Sequence, residues 1–385
     1  MSETKHVAII GASYLQLPLI RKAKEMGYIT HVFAWAANDV GEKEADHFYP
    51  ISIVEKEKIL EVCRQIGICS ISSISSDLAI ITVNYVAQHM GLVSNDLECT
   101  ARSTNKHLMR NCFEQHGDPS PKSFLVEKAE DLPLEKLAYP LIVKPLDRSG
   151  SRGITRIEKA EELEKAIEMA KKEGFEKKAL VEEYLEGDEF SVECISYEGE
   201  HHFLSFTRKY TTGAPHFIEN GHLELCENDP EMVAKIKKVT FHALDSLGIK
   251  YGASHTEIKI REDGKIGIVE IGGRMGGDFI GSDLVRLTTG FDFVEAVLNV
   301  SLGKKPDFSA LGERTNAAVR FIMKQEDLPY YQLALDDPEI RIIDHDIDLD
   351  HFADDVTDSS NRHGYYIITC DDPEKIRGFM DRSIT

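Results

Sequence analysis

The stretch 254–278 constrains the fold of this chain more than any other part of it. It reads SHTEIKI, then REDGK, then IGIVEIGGRMGGD, which is the pattern of two strands joined by a tight turn. Asp263-Gly264 is a two-residue turn signal, because glycine adopts a positive φ without steric cost. A turn there pairs Glu262 with Lys265, and this pairing fixes the register of both strands.

That register places Glu257 and Glu270 directly opposite each other on one face of the hairpin. Like charges opposed across a ladder destabilise it. A hard divalent cation would neutralise them, since Mg²⁺ takes one or two carboxylates together with phosphate oxygens of a substrate. A solvated acidic face on an edge hairpin is the alternative. The other face is apolar by period-two alternation and is predicted to face the core: Thr256, Ile258, Ile260, Val269 and Ile271.

The segment GGRMGGD at the end of the hairpin places four glycines around Arg274. Glycine-rich backbone suits a close approach to an anion better than it suits a strand, because no Cβ keeps the ligand away from the amide groups. The segment therefore favours a metal and anion site over a solvated edge.

Charge and cysteine content narrow the classes of partner. The formal charge of −21 argues against nucleic acid and anionic membrane surfaces, because both reward lysine and arginine. No segment has the length and apolarity of a signal peptide or a membrane span. The seven cysteines show no metal-type spacing, which is typical of reduced thiols. We expect a cytoplasmic protein that acts on small molecules, with no nucleic-acid or membrane partner.

The first part of the chain alternates strands and helices, which predicts a parallel α/β sheet. Gly11 closes the strand HVAIIG at a strand-to-helix turn. The dinucleotide-binding fingerprint is incomplete, because Ser13 and Gln16 stand where its second and third glycines would be. The hypothesis that the protein is a dehydrogenase would therefore depend on Gly11 alone.

Three later segments carry further candidates. Lys144 ends the apolar run LIVK before the loop DRSGSRG, which is either a mobile phosphate-covering flap or an ordinary polar hairpin. The segment ALVEEYLEGDEFSVECIS is predicted to be two strands turning at 186–188. His216 and His222 lie in a polar loop and are either substrate contacts or plain loop residues.

Together these motifs resemble the ATP-grasp superfamily. They follow the family order over roughly residues 100–303: Lys106 on a helix, IVKP, a Gly/Ser flap, VEEYLEGDEFSVE, HTEIK and VEIGGR. TTGAPHFIENGH and GGRMGGDFI look most like the carbamoyl-phosphate-synthase-like branch that contains bacterial L-amino-acid ligases. The resemblance implies an α/β fold with a Rossmann-like pre-ATP-grasp domain at 1–95. It also implies an ATP-grasp nucleotide-binding domain at 96–303 and a C-terminal α+β portion at 304–385 that completes the catalytic domain.

The resemblance also assigns roles to individual residues. Lys106 and Lys144 would contact the ATP phosphates, and a flap would close over them, made of Ser149, Gly150, Ser151 and Gly153. Glu182, Glu183 and Leu185 would lie beside the adenine. Glu189 would contact the ribose. Arg274 and Lys144 would be catalytic. Glu257 and Glu270 would hold Mg²⁺, or Mn²⁺ in its place. The acyl substrate would be bound by His216, Arg274, Gly276 and Gly277.

One position departs from the family pattern. The common metal motif is Glu-x-Asn, and here Gly272 takes the third place. Water fills that coordination position, Asp278 reaches in, or the second metal is weakly held. The implied activity is an ATP-dependent ligation of a carboxylate to an amine through an acyl-phosphate, by a homodimer. A bicarbonate-using or carbamoyl-phosphate-type ligase and a non-catalytic ATP-binding protein are the alternatives.

Overall fold

Three β-sheets organise the part of the chain that the computed structural model describes. That part comprises residues 5–133, 137–147, 153–214, 217–309, 311–347, 352, 356 and 359–384. The mixture of a parallel sheet with helices and two antiparallel sheets confirms the predicted α/β fold class.

The first sheet is parallel, as the strand–helix alternation predicts. Its strands are β1 (His6–Ile10), β2 (Ile29–Phe33), β3 (His47–Tyr49) and β4 (Ser70–Ser72), in the order β3-β2-β1-β4. The helices of this unit are α1 (Leu17–Glu25), α2 (Val40–Glu44), α3 (Lys56–Ile66) and α4 (Asp77–Met90). The carboxyl ends of parallel strands meet at one edge, so the loops after β1 and β4 lie side by side.

Two short helices, α5 (Leu97–Thr104) and α6 (Lys106–His116), follow this unit. Asn105 separates them, because its extended backbone ends α5 while its side-chain oxygen accepts from the amides of His107 and Leu108. This is an N-cap. It makes Lys106 the first residue of α6.

The second sheet is antiparallel and contains four strands among the described residues. They are β5 (Ser123–Val126), β6 (Leu141–Pro145), β7 (Thr155–Ile157) and β8 (Ala179–Glu183), in the order β5-β8-β6-β7, and α7 (Leu163–Glu173) packs on them.

The third sheet is antiparallel and extends from β9 to the last described strand. Its strands are β9 (Asp188–Tyr197), β10 (Glu200–Thr211), β11 (Glu219–Glu224), β12 (Gly252–Ile260), β13 (Ile266–Gly272), β14 (Asn316–Ile322), β15 (Arg341–Ile347) and β16 (Gly364–Cys370), in the order β13-β12-β9-β10-β11-β14-β16-β15. The accompanying helices are α8 (Pro230–Leu247), α9 (Val285–Thr289), α10 (Phe293–Ser301), α11 (Leu328–Asp336) and α12 (Pro373–Ile384).

The predicted strand pair around 186–188 is wrong. β8 pairs with β5 and β6 in the second sheet, whereas β9 pairs with β10 and β12 in the third. The segment between them therefore crosses from one sheet to the other. Gly187 has a φ of 120°, and a Cβ there would lie 2.4 Å from the carbonyl oxygen of Ile260, so glycine is required at this crossing.

The hairpin of β12 and β13 confirms the opposed carboxylates, but by a different route. The predicted two-residue turn is wrong: the amide of Arg261 donates to the Lys265 carbonyl, which leaves a three-residue loop at 262–264. A β-bulge next to Glu257 then shifts the register by one residue and restores the pairing of Glu257 with Glu270. A bulge of this kind re-aims the side chains beyond it.

The bulge also changes which residues face the core. Val269, predicted to be a core residue, lines a cavity instead, and Ile268 is fully buried in the core. On β9, Val192 and Cys194 pack with α6 and α8, while Glu189 and Glu193 lie on the opposite face. This part of the third sheet therefore has one apolar face and one charged face.

Two further expectations from the sequence concern membrane-spanning segments and the state of the cysteines. None of the helices that the structure describes is long and apolar enough to cross a membrane. All seven cysteines are free thiols.

Candidate active site

A cavity of about 880 Å³ lies between the second and third sheets and reaches the loops after β1 and β4. Most of the residues that the sequence singles out line this cavity: Lys106, Lys144, Glu182, Glu183, Leu185, Glu189, Glu257, Glu270, Arg274 and Gly277. Side chains that are far apart in the sequence thus share one site. Its size is in the range of small-molecule sites.

Some predicted site residues are not placed in this cavity. Ser149, Gly150, Ser151 and His216 lie outside the described residues. Gly153 is described, and its φ of 69° is one that glycine adopts readily, but it packs against Pro145 and Glu173 rather than lining the cavity.

At one end of the cavity, Glu182 holds two cations. Arg110 Nε and Nη2 donate to its two oxygens at 2.9 and 3.2 Å, and Lys144 Nζ lies 2.7 Å from Oε2. Burial opposes ionisation of this carboxyl, but the charges of Arg110 and Lys144 outweigh it and lower the pKa of Glu182 to about 2. The Glu182 side chain therefore fixes Lys144, which is itself buried.

Lys106 lies beside the hairpin carboxylates. Its Nζ is 2.6 Å from Glu270 Oε1, and the side chain is buried at the start of α6. Burial alone would lower the pKa of Lys106, but the charge of Glu270 outweighs it and the pKa rises. The ammonium group stays charged inside the cavity.

Lys209 on β10 is a site residue that the sequence analysis missed. Its Nζ lies 2.7 Å from Glu257, 3.1 Å from Glu189 and 3.5 Å from Glu219. These carboxylates outweigh burial and hold the pKa of Lys209 well above its ordinary value. Arg208 pairs with Phe190 on β9, so the neighbouring Lys209 lies on the same face as Glu189, and the sequence alone did not show this register.

The two hairpin carboxylates fit a divalent cation as donors. Each one already contacts an ammonium group in the structure, Glu257 through Lys209 and Glu270 through Lys106. Both carboxylates thus already contact cations inside a cavity. One or two carboxylates are the protein ligands through which Mg²⁺ is usually bound. Within the described ranges, no group of three His, Cys, Asp or Glu residues has a metal-binding arrangement, so the protein offers two carboxylates here.

Asp278 contacts an arginine in this structure. Its Oδ2 accepts from Arg362 Nη2 at 2.6 Å. The three options for the third position, water, Asp278 or a weakly held second metal, stay predictions.

The structure explains why position 272 is glycine. Asp77, the first residue of α4, accepts from Arg274 Nε at 2.9 Å and from Arg274 Nη2 at 3.2 Å. A Cβ at Gly272 would lie 2.9 Å from Asp77 Oδ1 and 3.2 Å from Arg274 Cζ. The bidentate ion pair therefore occupies the space that a side chain at 272 would need. Asp77 lies in the first sheet's unit and carries no motif, so the sequence analysis missed it.

The structure also explains why position 276 is glycine. Its amide donates to Glu193 Oε2 at 2.9 Å, and the other Glu193 oxygen bonds His255 Nδ1. A Cβ at Gly276 would lie 2.6 Å from Glu193 Oε1. Burial would lower the pKa of His255, but Glu193 outweighs it and raises that pKa to about 9. A charged imidazole therefore lies behind Glu257, 3.5 Å from its Oε1.

Part of the cavity is bordered by an aromatic wall, made of Tyr14, Phe279, Phe321 and Tyr365. The Phe279 ring lies 4.1 Å from Tyr365, 6.0 Å from Tyr14 and 6.4 Å from Phe321, between ring centroids. His222 is buried against Phe321, edge to face. Burial, followed by the charges of Lys209 and Arg362, lowers the pKa of His222 well below its ordinary value, so its ring is neutral.

Comparison with known proteins matches part of this chain to a known domain. Residues 137–283 match the model of the ATP-grasp domain. The chain is 25% identical over 334 residues to alanine–anticapsin ligase of Bacillus subtilis, covering 74% of this chain and 69% of that protein. It is 29% identical over 199 residues to D-alanine–D-alanine ligase of Bacillus cytotoxicus, covering 46% of this chain and 53% of the relative. The chain thus spans between about half and about two thirds of these relatives.

A solved structure covers the whole fold. The crystal structure of L-amino acid ligase from Bacillus licheniformis superimposes with a TM-score of 0.82 at 23% identity, over 100% of this chain and 98% of that one. At this identity the likeness is evidence of fold. The domain match covers β6 to the turn after β13, which is the stretch that carries most of the charged cavity residues. The chain is therefore similar to ATP-grasp ligases, in the domain match over residues 137–283 and in its fold.

Proposed function

We propose that the protein is an ATP-dependent carboxylate–amine ligase that joins an amino acid or another small carboxylate to an amine and releases ADP. The observation that carries the proposal is the convergence, in one cavity, of cations suited to phosphate with two carboxylates suited to Mg²⁺: Lys106, Lys144, Lys209 and Arg274 with Glu257 and Glu270. The relatives named alanine–anticapsin ligase and D-alanine–D-alanine ligase support the amino-acid class.

In the proposed reaction, an oxygen of the carboxylate substrate attacks the γ-phosphorus of ATP, which forms an acyl-phosphate and releases ADP. The amine nitrogen then attacks the acyl carbon, the C–N bond forms and phosphate leaves. Charge spread over the transferred phosphoryl oxygens makes positioning and charge neutralisation the main requirements. The cavity supplies both from fixed, mutually paired side chains.

Each charged group has a defined task in this proposal. Lys144, fixed by Glu182, and Lys106 would bind the phosphates, and Arg274, fixed by Asp77, would bind the transferred group. Glu257 and Glu270 would hold Mg²⁺, which supplies Lewis-acid neutralisation of phosphate charge when it is bound. Lys106 and Lys209 would then exchange their carboxylate partners for phosphate oxygens.

The proposal also assigns residues to the adenine and the ribose. Glu183 and Leu185 lie at the crossing between the second and third sheets and line the cavity, where backbone groups would meet the base. Glu189 would accept from the ribose hydroxyls. Three statements remain predictions: that the protein is a homodimer, that it is cytoplasmic, and that it can use Mn²⁺.

The test is Mg²⁺-dependent ADP release from the purified protein with the twenty L-amino acids, singly and in pairs. We expect release with particular pairs and a product whose mass is the sum of the pair minus one water. ADP release that requires bicarbonate, or one acid without an amine, would assign a different ATP-grasp reaction. ATP binding without turnover for every substrate would contradict an enzymatic role.

A further inference from the structure

Glu193, in the middle of β9, is a carboxylate beside the active site that the proposed reaction does not use. It is fully buried and lies behind the residues that line the cavity. Its Oε2 accepts from the Gly276 amide at 2.9 Å, and its Oε1 hydrogen-bonds Nδ1 of His255, the residue opposite it on β12. Both oxygens are therefore satisfied by the protein itself, as is usual for a buried polar group.

His255 connects this buried carboxylate to the cavity. Its side chain is buried and lines the cavity, with Nδ1 on Glu193 and Nε2 3.5 Å from Glu257 Oε1. A Cβ at Gly276 would lie 2.7 Å from Nδ1, so the ring also packs closely against the backbone there. The imidazole is therefore fixed from behind, and its other nitrogen is directed to a proposed metal ligand.

Two nitrogen donors contact Glu257, and they are held in different ways. Lys209 Nζ lies 2.7 Å from Glu257 Oε1, but two other carboxylates lie within 3.5 Å of the same ammonium group. Lysine has a flexible four-carbon stem, so Lys209 can leave Glu257 for a phosphate oxygen, as the proposed function requires. His255 is fixed by Glu193 and stays in place. It is therefore the contact that Glu257 keeps when the nucleotide is bound.

These contacts determine which oxygen of Glu257 is left for a metal. Lys209 and His255 both approach Oε1, so Oε2 is the oxygen that would bind a divalent cation. A side chain that contacts a metal ligand from behind sets the orientation of that ligand, and replacing it typically lowers metal affinity or activity about 10- to 100-fold. His255 is in the position to have this effect on Glu257.

The same buried carboxylate also holds the segment that carries Arg274. Gly276 is bound from two sides, because its amide donates to Glu193 and its carbonyl accepts from Ser75 Oγ at 3.3 Å. Glu193 therefore bonds both the ring behind the metal ligand and the backbone two residues after Arg274. One side chain thus fixes the hairpin and the glycine-rich segment relative to each other.

We propose that Glu193 and His255 form a positioning pair for the metal ligand Glu257: Glu193 fixes the imidazole, and the imidazole directs Glu257 Oε2 to the divalent cation. This inference rests on the metal site of the proposed function and adds two positioning residues to it, neither of which is a ligand of the metal. The pair acts on metal affinity, so its effect is large at limiting metal and small at saturating metal.

Two substitutions of His255 separate its two contacts. His255→Asn places an amide near the position of Nδ1 and keeps a partner for Glu193, but it is too short to reach Glu257. His255→Gln reaches towards Glu257 but loses the fixed ring. Mn²⁺ binding is measured by electron paramagnetic resonance, with ADP present and without acid or amine. We expect the Mn²⁺ dissociation constant to rise about 10- to 100-fold in His255→Asn and less in His255→Gln. An unchanged constant in His255→Asn, or no Mn²⁺ binding by the unmodified protein, would overturn the proposal.

His201→Asn is the matched control. His201 on β10 is also a histidine with a buried side chain that contacts a carboxylate, Asp245 at 3.2 Å, but it lies away from the cavity. The variant should lower the free energy of unfolding in urea and leave the Mn²⁺ dissociation constant unchanged. An equal loss of Mn²⁺ affinity in His201→Asn and His255→Asn would show that the loss follows from general destabilisation, and would overturn the assignment.

Glu193→Gln tests the buried carboxylate itself. An amide has one oxygen, so either His255 or Gly276 loses its acceptor, and Mn²⁺ affinity should fall as it does in His255→Asn. Because both changes act on the same contact, the combined variant should bind Mn²⁺ about as weakly as His255→Asn alone. Losses that multiply in the combined variant would overturn the role of Glu193. If Glu193→Gln does not fold, His255→Asn still decides the proposal, because it keeps Glu193 paired.

Turnover gives a second readout and separates this inference from the ligase function. With the amino-acid pair that gives the most ADP, His255→Asn should raise the Mg²⁺ concentration for half-maximal rate about 10- to 100-fold and regain most of kcat at saturating Mg²⁺. A loss of kcat that saturating Mg²⁺ does not restore would overturn the positioning role. A protein that binds Mn²⁺ with ADP but forms no ADP with any substrate would contradict the proposed function, and Mn²⁺ binding by the variants would still decide this inference.

Discussion

The two ends of the cavity are built from different parts of the chain. We call the end with the lysine pairs the nucleotide end, after its role in the proposed function, and there the ion pairs join two residues within 96–303: Lys106–Glu270, Lys144–Glu182 and Lys209–Glu257. We call the end with two arginine pairs the substrate end, on the same basis, and there each pair joins a residue of that range to one outside it: Asp77–Arg274 and Asp278–Arg362.

This difference separates two kinds of requirement. Phosphoryl transfer needs a fixed set of charges, and the nucleotide end contains that set within one stretch of chain. The substrate end depends on how the first sheet's unit and the last strands pack against that stretch. Substitutions at the nucleotide end should therefore abolish stability or chemistry, and substitutions at the substrate end should cause smaller, graded losses.

The largest effect is expected for Glu182→Gln. It leaves Arg110 and Lys144 buried without their counter-charge, and breaking a buried pair in this way costs about 3–5 kcal/mol in the free energy of unfolding. Urea titration at pH 7 measures the loss. Glu183→Gln is the matched control, because the neighbouring Glu183 is partly exposed and should lose little.

The pH dependence of this effect has a definite sign. The folded pKa of Glu182 is about 2, below its ordinary value of 4.5. Its stabilisation is therefore complete above about pH 4.5 and is lost as the pH falls towards 2. The stability gap between Glu182→Gln and the unmodified protein should narrow below pH 4.5, and a constant gap down to pH 3 would refute the electrostatic explanation.

Glu270→Gln should affect chemistry rather than folding. Removing one group that neutralises transition-state charge typically lowers turnover by about two to three orders of magnitude. ADP release measures turnover, and Mn²⁺ binding followed by electron paramagnetic resonance measures the metal site directly. Glu262→Gln on the exposed hairpin loop is the control. Retention of more than about a tenth of the turnover, outside the range expected for such a group, would contradict the metal assignment.

Asp77→Asn tests the first arginine pair of the substrate end. The variant keeps the shape of the side chain but loses the charge that fixes Arg274, and misplacement of a catalytic group by about 1 Å can cost up to 10²-fold. We expect kcat to fall about 10- to 100-fold, the range up to that limit, with little change in KM for ATP. Asp77→Glu should recover part of the loss. An effect confined to KM for ATP would place Asp77 at the nucleotide end instead.

Gly272→Ala should give the smallest change. Its Cβ would lie 2.9 Å from Asp77 Oδ1, so the ion pair must shift by a fraction of an ångström, and we expect turnover to fall roughly tenfold. Gly378→Ala on α12 is the control, because a Cβ there meets nothing within 4 Å. In the Asp77→Ala background, Gly272→Ala should have almost no further effect, because both changes act on the same contact. Additive losses would show that Gly272 acts elsewhere.

Sequence patterns predicted the nucleotide end better than the substrate end. Period-two alternation and a turn signal were enough to place Glu257 opposite Glu270, although the actual loop is one residue longer and a bulge compensates for it. The turn signal at 186–188 marked a change of direction correctly. It could not show whether the chain returns within one sheet or crosses to another, because both need the same local backbone.

The residues that sequence analysis missed share a property. Asp77, Lys209 and Arg362 each lie alone in an unremarkable segment and acquire their partners only through packing of distant elements. A single sequence does not encode such partners locally. Gly272 is the opposite case, because the sequence alone shows that it departs from the Glu-x-Asn motif. The reason for the departure, the space taken by the Asp77–Arg274 pair, is visible only in the structure.

The order of strands in the third sheet has a consequence for how this protein is synthesised. β11 hydrogen-bonds to β14, and β14 to β16. The strand partners of residues 219–224 therefore lie more than ninety residues downstream in the sequence. Pairings of such long sequence separation form slowly. Until residue 322 has left the ribosome, one edge of β11 is unpaired, and until residue 365 has left it the aromatic wall lacks Tyr365. The nascent chain can therefore acquire the hairpin of Glu257 and Glu270 well before it acquires a complete aromatic wall.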